Sequence, residues 1–483
     1  MLNIFQFAIP GPSRFSMLVQ TAMGLWVVIT ATPCRAADDR KPQPVKNVLF
    51  IVSDDLKASV LGCYGDPHCQ TPNIDALAAS SMVFDSAYCQ GTWCAPSRQS
   101  FMYSRYQGKG RQTLGEHFIE RGWYSARVGK IFHMRVPGDI IAGTDGQDVP
   151  ACWTERFNSS GLEAHTPGEY ACLNLDIFTT ELEGRQSTRM PHRAYVTVQY
   201  DGDGSDQPDH KTATKAIELL REHQREPFFL AVGFVRPHYP MVAPEQYFAP
   251  YPYQQLELPE VPPGDLDDIP PLGIASARSA TTGFDKYPDN QRRMWAGYYA
   301  TVQFMDAQLG RILAELDRLG LRESTAIVFT SDHGYHLGEH TFWQKLNLHE
   351  EVTRVPLMIS APGYPAGRTN SIVELVDVYP TLVELSGGVP AASLQGTSLR
   401  PILIHPEETV RDHAISFANG TGLRTKDWAL MRYKDGETEL YDMHADPHQF
   451  NNLSKDADYA EVLAELLQTL EGRLSAAKLP DHS

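Results

Sequence analysis

The sequence predicts an α/β fold in which helices flank both faces of a large, mostly parallel β-sheet. Three apolar runs of strand length are continuous rather than alternating, as in strands buried on both faces: Val48–Val52, Pro227–Val232 and Ala326–Phe329. The second and third runs follow the helical stretches Ala213–His223 and Tyr298–Arg318. Strands that alternate with helices of this length are typical of parallel sheets.

The carboxyl-terminal part predicts a smaller subdomain made of an antiparallel sheet and one helix. From about Arg411 the strand-like pieces become short, and the turn Lys434–Glu437 separates Trp428–Tyr433 from Glu439–Asp442, which predicts a hairpin. Tyr459–Leu474 has the pattern of a terminal helix. We therefore expect a large domain over residues 38–400 and a subdomain over residues 401–483.

Residues 1–37 have the pattern of a secretory signal peptide. Arg14 precedes the apolar run Met17–Ile29, and small residues follow, with cleavage expected near Ala36 or Ala37. A single anchoring helix is the alternative, but the run is shorter than the roughly 20 residues that a membrane span needs. We expect a secreted or periplasmic protein without stable membrane insertion.

Charge and cysteine content restrict the functional classes. The formal net charge of the 483 residues is −17, which argues against general binding of nucleic acid or anionic membranes. A local cluster of Lys, Arg and His can still bind an anionic substrate. In an oxidising compartment Cys152 and Cys172 could form a disulfide, the alternative being two unpaired thiols.

Acidic residues follow two of the predicted strands. Asp54 and Asp55 come directly after the first, and Asp332 and His333 come just after Ala326–Phe329. The carboxyl ends of strands in open α/β sheets are where ligands bind, so we expect these side chains at one edge. Three carboxylates with one imidazole suit a hard divalent cation, Ca²⁺ first and Mg²⁺ second.

The third element is Cys94-Ala95-Pro96-Ser97-Arg98, with Pro96 in the first turn of a helix that continues to Arg105. A thiol is an unusual neighbour for an oxygen-preferring ion. The mismatch disappears if Cys94 is oxidised to Cα-formylglycine, whose aldehyde hydrates to two hydroxyls. In this Cys-x-Pro-Ser-Arg motif the chain resembles the type I sulfatases of the alkaline phosphatase superfamily.

Further motifs extend the resemblance over nearly all of the chain. They are Leu61–Gly65, Thr71–Asp75, Gly129–His133, Arg236–Pro240, Gly338–Lys345 and Glu439–Asp442. Within the family, Gly129–His133, the run at 227–233 and Asp332-His333-Gly334 are most similar to the iduronate-2-sulfatase branch. The resemblance implies a catalytic domain over residues 38–400.

The resemblance also implies the members of the site. The metal ligands would be Asp54, Asp55, hydrated Cys94, Asp332 and His333.

The remaining catalytic roles follow from the same resemblance. Arg98 and Lys130 would stabilise the alkoxide of the hydrated aldehyde. His238, with Lys345 beside it, would protonate the departing sugar oxygen and hold the sulfate. His133 would take a proton from the second hydroxyl, which expels sulfate and regenerates the aldehyde.

The implied partners are a formylglycine-generating maturation enzyme and a sulfated carbohydrate. The branch similarity suggests a 2-O-sulfated uronic acid in a glycosaminoglycan-like polysaccharide, with Arg236 a candidate contact for the uronate carboxylate. Two alternatives stay open. One is a phosphonate or phosphomonoester hydrolase on the same fold, and the other is a non-catalytic protein that binds sulfated glycans.

Overall fold

The computed structural model describes residues 42–175, 177–181 and 193–478. In chain order the strands are β1 Asn47–Asp54, β2 Met82–Tyr88, β3 Tyr124–Gly129, β4 Glu155–Phe157, β5 Glu169–Asn174, β6 Ile177–Thr179, β7 Arg193–Tyr200, β8 Phe228–Pro237, β9 Met241–Pro244, β10 Thr325–Ser331, β11 His336–Leu337, β12 Trp343–Gln344, β13 Arg354–Ser360, β14 Gly367–Thr369, β15 Val373–Glu374, β16 His413–Phe417, β17 Gly420–Thr425, β18 Trp428–Tyr433 and β19 Thr438–Asp442. The α-helices are α1 Pro72–Ala78, α2 Cys94–Tyr103, α3 Leu114–Glu120, α4 Gly138–Ala142, α5 Pro208–Glu222, α6 Glu245–Phe248, α7 Ser279–Thr282, α8 Asp289–Arg318, α9 Glu350–Thr353, α10 Val378–Leu385, α11 Arg400–Ile404 and α12 Ala460–Ala476.

A mixed sheet of nine described strands forms the centre, in the order β14-β2-β13-β10-β1-β8-β3-β4, with β15 also paired to β2. The neighbours β10, β1, β8, β3 and β4 run parallel, whereas β13 is antiparallel to both β10 and β2. Every residue of β1 is buried, and its side chains alternate between two hydrophobic clusters, one on each face. This confirms the predicted α/β class with a mostly parallel sheet.

Two predicted helices begin earlier than their apolar pattern suggested. Helix α8 starts at Asp289, after Pro288, and α5 starts at Pro208. The first turn of α8 is polar, so apolar periodicity detects only the part that is packed against the core.

Four parallel strands end at the same edge of the sheet. β1 ends at Asp54, β8 at Pro237, β10 at Ser331 and β3 at Gly129. The register pairs Ser53 with Ser331, which brings the residues that follow these strands together. We expected two strand ends here, and β3 and β8 add two more because β8 extends beyond the predicted apolar run.

Two glycines allow β3 and β8 to approach closely at that edge. Gly129 has a φ of +72°, and a Cβ there would lie 2.2 Å from the carbonyl oxygen of Gly233. A Cβ on Gly233 would lie 2.0 Å from the carbonyl oxygen of Lys130. Any larger residue at either position would push Lys130 away from the sheet edge.

The carboxyl-terminal part forms the antiparallel sheet β16-β17-β18-β19, which confirms the predicted hairpin as β18–β19. Helix α12 packs on this sheet through Leu466, Leu470 and Leu474. The described residues from Pro42 onward form one compact unit, so the boundary at residue 400 stays a prediction.

The expected Cys152–Cys172 disulfide is absent. Both cysteines lack a disulfide bond. Cys152 belongs to the core beside the main sheet, where its thiol is 2.8 Å from the Thr113 hydroxyl. Cys172 lies on β5, in a separate four-stranded sheet β6-β5-β7-β9 that packs its own cluster. The pairing was wrong because spacing in sequence does not report which sheet a cysteine joins.

The expected signal peptide lies outside the described residues. Within the described residues no helix is long and apolar enough to cross a membrane.

A buried ion pair holds the end of β8. The Arg236 guanidinium donates to both carboxylate oxygens of Glu163, at 3.0 and 3.1 Å, and both side chains are almost fully buried. The carboxylate of Asp209 accepts hydrogen bonds from the backbone amides of Val235 and Arg236. Because Arg236 is engaged in this way, our expectation that it contacts a substrate carboxylate was wrong.

Arg236→Met leaves the Glu163 carboxylate buried without its counter-charge, so we expect a loss of about 3–5 kcal/mol in the free energy of unfolding. Urea denaturation followed by tryptophan fluorescence measures it. Glu163→Gln in the same chain should recover most of the loss. As a control, Lys215→Met removes a surface pair with Glu218 and should cost at most about 1 kcal/mol. Equal losses of stability in Arg236→Met and Lys215→Met would contradict the assignment of Arg236 and Glu163 as a buried ion pair.

Candidate active site

A turn after β1 makes two neighbouring carboxylates face the same space. Side chains alternate along a strand, so Asp54 and Asp55 would normally point apart. Asp55 has a φ of +66°, in the left-handed region, and this reverses the alternation. Both carboxylates are fully buried at the sheet edge.

Asp332 and His333, which follow β10, complete the group of acceptors. The backbone amide of Asp55 donates to Asp332 Oδ1 at 3.1 Å, and His333 Nε2 lies 3.3 Å from Asp55 Oδ1. Across β8, the His238 amide donates to the Asp54 carbonyl oxygen at 3.1 Å. The residues after β1, β8 and β10 are therefore connected to one another.

Cys94 is the first residue of α2 and points its sulfur into this group. Its Sγ lies 3.4 Å from Asp54 Oδ1 and 3.4 Å from the Lys345 ammonium nitrogen. The Lys130 ammonium nitrogen is 3.7 Å from the same sulfur. Arg98, one turn further along α2, reaches Asp332 Oδ2 at 2.8 Å and Asp54 Oδ1 at 3.1 Å.

Three cations match the three carboxylates. Lys130 contacts Asp54, Lys345 contacts Asp55, and Arg98 bridges Asp54 and Asp332. Like charges this close would otherwise prevent full ionisation of the three acids. The pocket is therefore neutral when its carboxylates are ionised and its histidines are neutral.

The donor set fits a divalent metal ion. In the described part of the chain, three sets of ligand atoms lie within 4.8 Å of one another: Asp54, Cys94 and His238; Asp55, Cys94 and His333; Asp54, Asp55 and Asp332. Asp55 Oδ2 and His333 Nε2 are buried without a hydrogen-bond partner. Buried polar atoms are almost always satisfied, and coordination to a cation would satisfy both of these.

The charges in the pocket shift the pKa of each neighbour. Burial opposes ionisation of Asp54, but Lys130 and Arg98 outweigh it and hold the pKa of Asp54 well below its usual range. For Asp55, burial outweighs Lys345 and raises the pKa. Burial, with Asp54 nearby, also raises the pKa of the Cys94 thiol. As an unmodified thiol, Cys94 stays protonated at neutral pH and is a poor nucleophile.

Two histidines lie beside the cluster in their neutral forms. Burial and Lys130 lower the pKa of His133 to about 4, and its Nδ1 is buried without a partner. Burial and Lys345 hold the pKa of His238 well below its usual value. The imidazole of His238 donates from Nδ1 to the Tyr239 carbonyl oxygen at 2.5 Å and directs Nε2 towards Asp55 Oδ2, 3.7 Å away. The structure thus places every residue that we predicted for the site around one pocket.

The residues that hold the turn after β1 in place were not identified from the sequence. The Tyr298 hydroxyl donates to the Asp55 carbonyl oxygen at 2.6 Å and accepts from the Lys57 amide at 2.9 Å. The Ser331 hydroxyl accepts from the Leu56 amide at 2.9 Å. No spacing rule links α8 to the turn after β1, so Tyr298 carried no detectable signal.

Trp93 is an exposed aromatic residue beside the site. It directly precedes Cys94, its side chain is 42% exposed, and its ring packs edge-on against His133. Adjacency to the Cys94 motif is the one signal that could have identified it.

Comparison with known proteins agrees with this geometry. Residues 46–130 and 159–389 match the family described as Sulfatase, and residues 338–476 match the family described as N-sulphoglucosamine sulphohydrolase, C-terminal. A sulfatase of Formosa agariphila is 29% identical, with 93% of this chain and 91% of the relative covered. Iduronate 2-sulfatase of Mus musculus is 32% identical, with 73% and 70% covered.

The phosphonate monoester hydrolase of Agrobacterium radiobacter shares the fold. Its crystal structure superposes on this chain with a TM-score of 0.72 and 21% sequence identity. The match covers 90% of this chain and 96% of the hydrolase chain. At that identity the likeness concerns the fold alone. The matched families and the relatives in sequence decide the class: this chain belongs to the sulfatase family and is a sulfuric ester hydrolase.

Proposed function

We propose that this enzyme removes the 2-O-sulfate of a uronic acid in a glycosaminoglycan-like polysaccharide, using Cys94 oxidised to formylglycine. The observation that carries the proposal is the position of Cys94 Sγ, within 3.4–3.7 Å of Asp54, Lys130 and Lys345 at the start of α2. A maturation enzyme would perform the oxidation. The proposal includes export through residues 1–37.

The charge balance of the pocket supports an anionic ester as substrate. Three carboxylates and three cations leave the protein groups neutral, so a bound divalent ion makes the pocket net positive by two charges. A sulfate monoester carries one negative charge and is attracted to such a pocket. The ligands would be Asp54, Asp55, Asp332, His333 and the oxidised side chain of residue 94, with Ca²⁺ favoured by the carboxylate oxygens.

The oxidised side chain fits its surroundings better than the thiol does. A hydrated aldehyde presents two hydroxyls, which accept hydrogen bonds from Lys130 and Lys345 and can bind a hard cation. When bound, that cation would lower the pKa of one hydroxyl and polarise the sulfate. Arg98 and Lys130 would stabilise the resulting negative charge, and each such group contributes a few kcal/mol to the transition state.

The two histidines then have separate tasks. Lys345 would hold the sulfate while His238, neutral at first, would take the proton released as the first hydroxyl of residue 94 ionises and give it to the departing sugar oxygen. The ionised hydroxyl oxygen of residue 94 would attack sulfur in line with the sugar oxygen, so that a new oxygen–sulfur bond forms as the bond to the sugar breaks and the sulfate is left on residue 94. His133, neutral and with Nδ1 unpaired, would take the proton of the remaining hydroxyl. The carbon–oxygen bond then breaks, sulfate leaves and the aldehyde returns.

A phosphonate or phosphomonoester hydrolase is the second candidate, favoured by the fold shared with the Agrobacterium radiobacter enzyme. A phosphomonoester is dianionic near neutral pH and would match a net charge of two more closely than a sulfate does. The sequence relatives instead support sulfate, and among them the iduronate 2-sulfatase of Mus musculus supports the uronate 2-position.

We expect Cys94→Ala to abolish turnover of 4-nitrophenyl sulfate, because both hydroxyls of the nucleophile are lost. Mass spectrometry of the peptide around residue 94 should show the aldehyde in active wild-type enzyme. Cys89→Ala, a buried cysteine five positions earlier, serves as the control and should keep its turnover per folded molecule. Full activity in enzyme whose residue 94 is entirely cysteine would refute the formylglycine mechanism.

Substrate preference is tested with defined disaccharides that carry one sulfate, on the uronate 2-position or on the hexosamine 6-position. We expect release of sulfate from the first at a kcat/KM at least about tenfold higher, a difference of about 1.4 kcal/mol in transition-state binding. The reverse preference would contradict the uronate assignment. Faster cleavage of an aryl phosphonate than of the aryl sulfate would favour the second candidate.

Metal binding has a readout that does not depend on activity. After treatment with a chelator, Ca²⁺ at about 100 times its Kd should stabilise the protein against urea by about 2.7 kcal/mol, with a smaller gain from Mg²⁺. Asp332→Asn should remove this gain. Asp456→Asn, at an exposed 3-10 helix cap, is the matched control and should keep it. Equal stability with and without both ions would contradict the metal site.

Tyr298 is expected to position Asp55 from outside the pocket. Tyr298→Phe removes the hydrogen bond to the Asp55 carbonyl, worth about 1–1.5 kcal/mol, so kcat should fall by about tenfold. Tyr299→Phe, the next residue on α8, removes a hydrogen bond of 2.8 Å to Asp66 and should leave kcat unchanged. Equal kcat values for the two variants would show that Tyr298 is only structural.

A further inference from the structure

A second cleft lies at the other end of α2 from Cys94. Its volume is about 890 Å³, and Tyr103, the last residue of α2, forms part of its wall. Nine helical steps of 1.5 Å separate the Cα atoms of Cys94 and Tyr103, about 14 Å in total. None of the residues that we placed in the active site lines this cleft.

Among the described residues, four cations line the cleft and no carboxylate does. They are Arg105, Arg111, Arg473 and Lys478. The acids nearest to the floor, Glu374 and Asp377, are already engaged: Arg411 contacts both carboxylates, and Arg473 lies 3.1 Å from Glu374.

Three of the four cations have no counter-charge within the cleft. Among the described residues, Arg105, Arg111 and Lys478 form no ion pair within 4.0 Å, whereas Arg473 shares Glu374 with Arg411. The Nε atoms of Arg105 and Arg473 are buried without a hydrogen-bond partner. The carboxylate of Glu116, near Tyr379 at one end, accepts hydrogen bonds from Thr113 and caps α3. The cleft therefore presents unpaired donors and a positive potential in a protein whose formal net charge is −17.

A smaller cavity adjoins this cleft at Tyr103 and extends back along α2 to Gln99. Its volume is about 210 Å³, and it shares Tyr103 with the cleft. Its other walls include Gln99, on α2, Lys109, and Phe132, the residue before His133. An oligosaccharide that extends over the roughly 14 Å between the two ends of α2 has the length to contact both regions, whereas a single sulfated sugar does not.

We propose that the cationic cleft is a second binding site for a sulfated oligosaccharide and holds the polymer whose residue reacts at Cys94. The proposal rests on the polysaccharide substrate of the proposed function. A chain with sulfates along its length gains affinity from a second contact, because the second event is intramolecular. The negative surface of the protein otherwise repels such a polyanion, and the cleft offsets this locally.

The test compares two double variants with the same change in net charge. Arg111→Glu with Lys478→Glu changes two exposed cations of the cleft, and Lys426→Glu with Lys434→Glu changes two lysines outside it. Binding of a 2-O-sulfated dodecasaccharide is measured in the Cys94→Ala background, and turnover is measured with active enzyme. The substrates are 4-nitrophenyl sulfate, the uronate 2-sulfated disaccharide and the dodecasaccharide.

We expect the cleft variant to raise the Kd and KM for the dodecasaccharide by about tenfold, with the larger difference at low salt. Its kcat and KM for 4-nitrophenyl sulfate and for the disaccharide should match those of the control. Equal Kd values for the two double variants would overturn the proposal. So would tighter binding of a single-stranded DNA of the same charge than of the dodecasaccharide.

Failure of the proposed function gives a different pattern. The wild-type enzyme would then cleave 4-nitrophenyl sulfate but leave the uronate 2-sulfate intact, while the dodecasaccharide would still bind more weakly to the cleft variant. In that case the cleft is confirmed as a sulfated-glycan site and only the position of the scissile sulfate is wrong.

Discussion

The need to keep three buried carboxylates ionised side by side governs the whole catalytic region. Asp54, Asp55 and Asp332 are fully buried with carboxylate oxygens within 4.8 Å of one another, and like charges this close repel. Lys130, Lys345 and Arg98 remove that repulsion. Each cation comes from a different part of the fold, so the ionisation state of the pocket depends on correct assembly of the sheet, α2 and the segment that carries Lys345.

The scaffold meets this requirement with parallel strands. Strands β1, β3, β8 and β10 deliver their next residues to one edge, and the hydrogen-bonded register sets the spacing between them. The turn at Asp55 and the close contact between Gly129 and Gly233 are local departures that serve the site. Both are conformations that an ordinary strand end would not adopt, and backbone strain of this kind is concentrated at functional positions.

Helix α2 extends from the candidate active site to the cationic cleft. Its first residue is the proposed nucleophile, Arg98 in its second turn balances two carboxylates, and its last residue forms part of the cationic cleft. A buried helix is rigid, so it fixes the separation between the two ends. In our further inference this separation would favour a chain over a single sugar, because the pocket at Cys94 would bind the scissile sulfate and the cleft would bind another part of the polyanion.

The sequence by itself determined the α/β class, the hairpin β18–β19 and the residue types of the site, because strand burial, turn chemistry and the Cys94 motif are local properties. Residues 54, 55, 332 and 333 were predicted to meet since strand ends share an edge. Only the tertiary structure decided the rest: that Arg236 faces Glu163 rather than a ligand, that Cys152 packs in the core beside the main sheet while Cys172 lies on a strand of a separate sheet, and that Arg105, Arg111, Arg473 and Lys478 surround one cleft. These are contacts between residues far apart in the chain, and sequence periodicity carries no information about them.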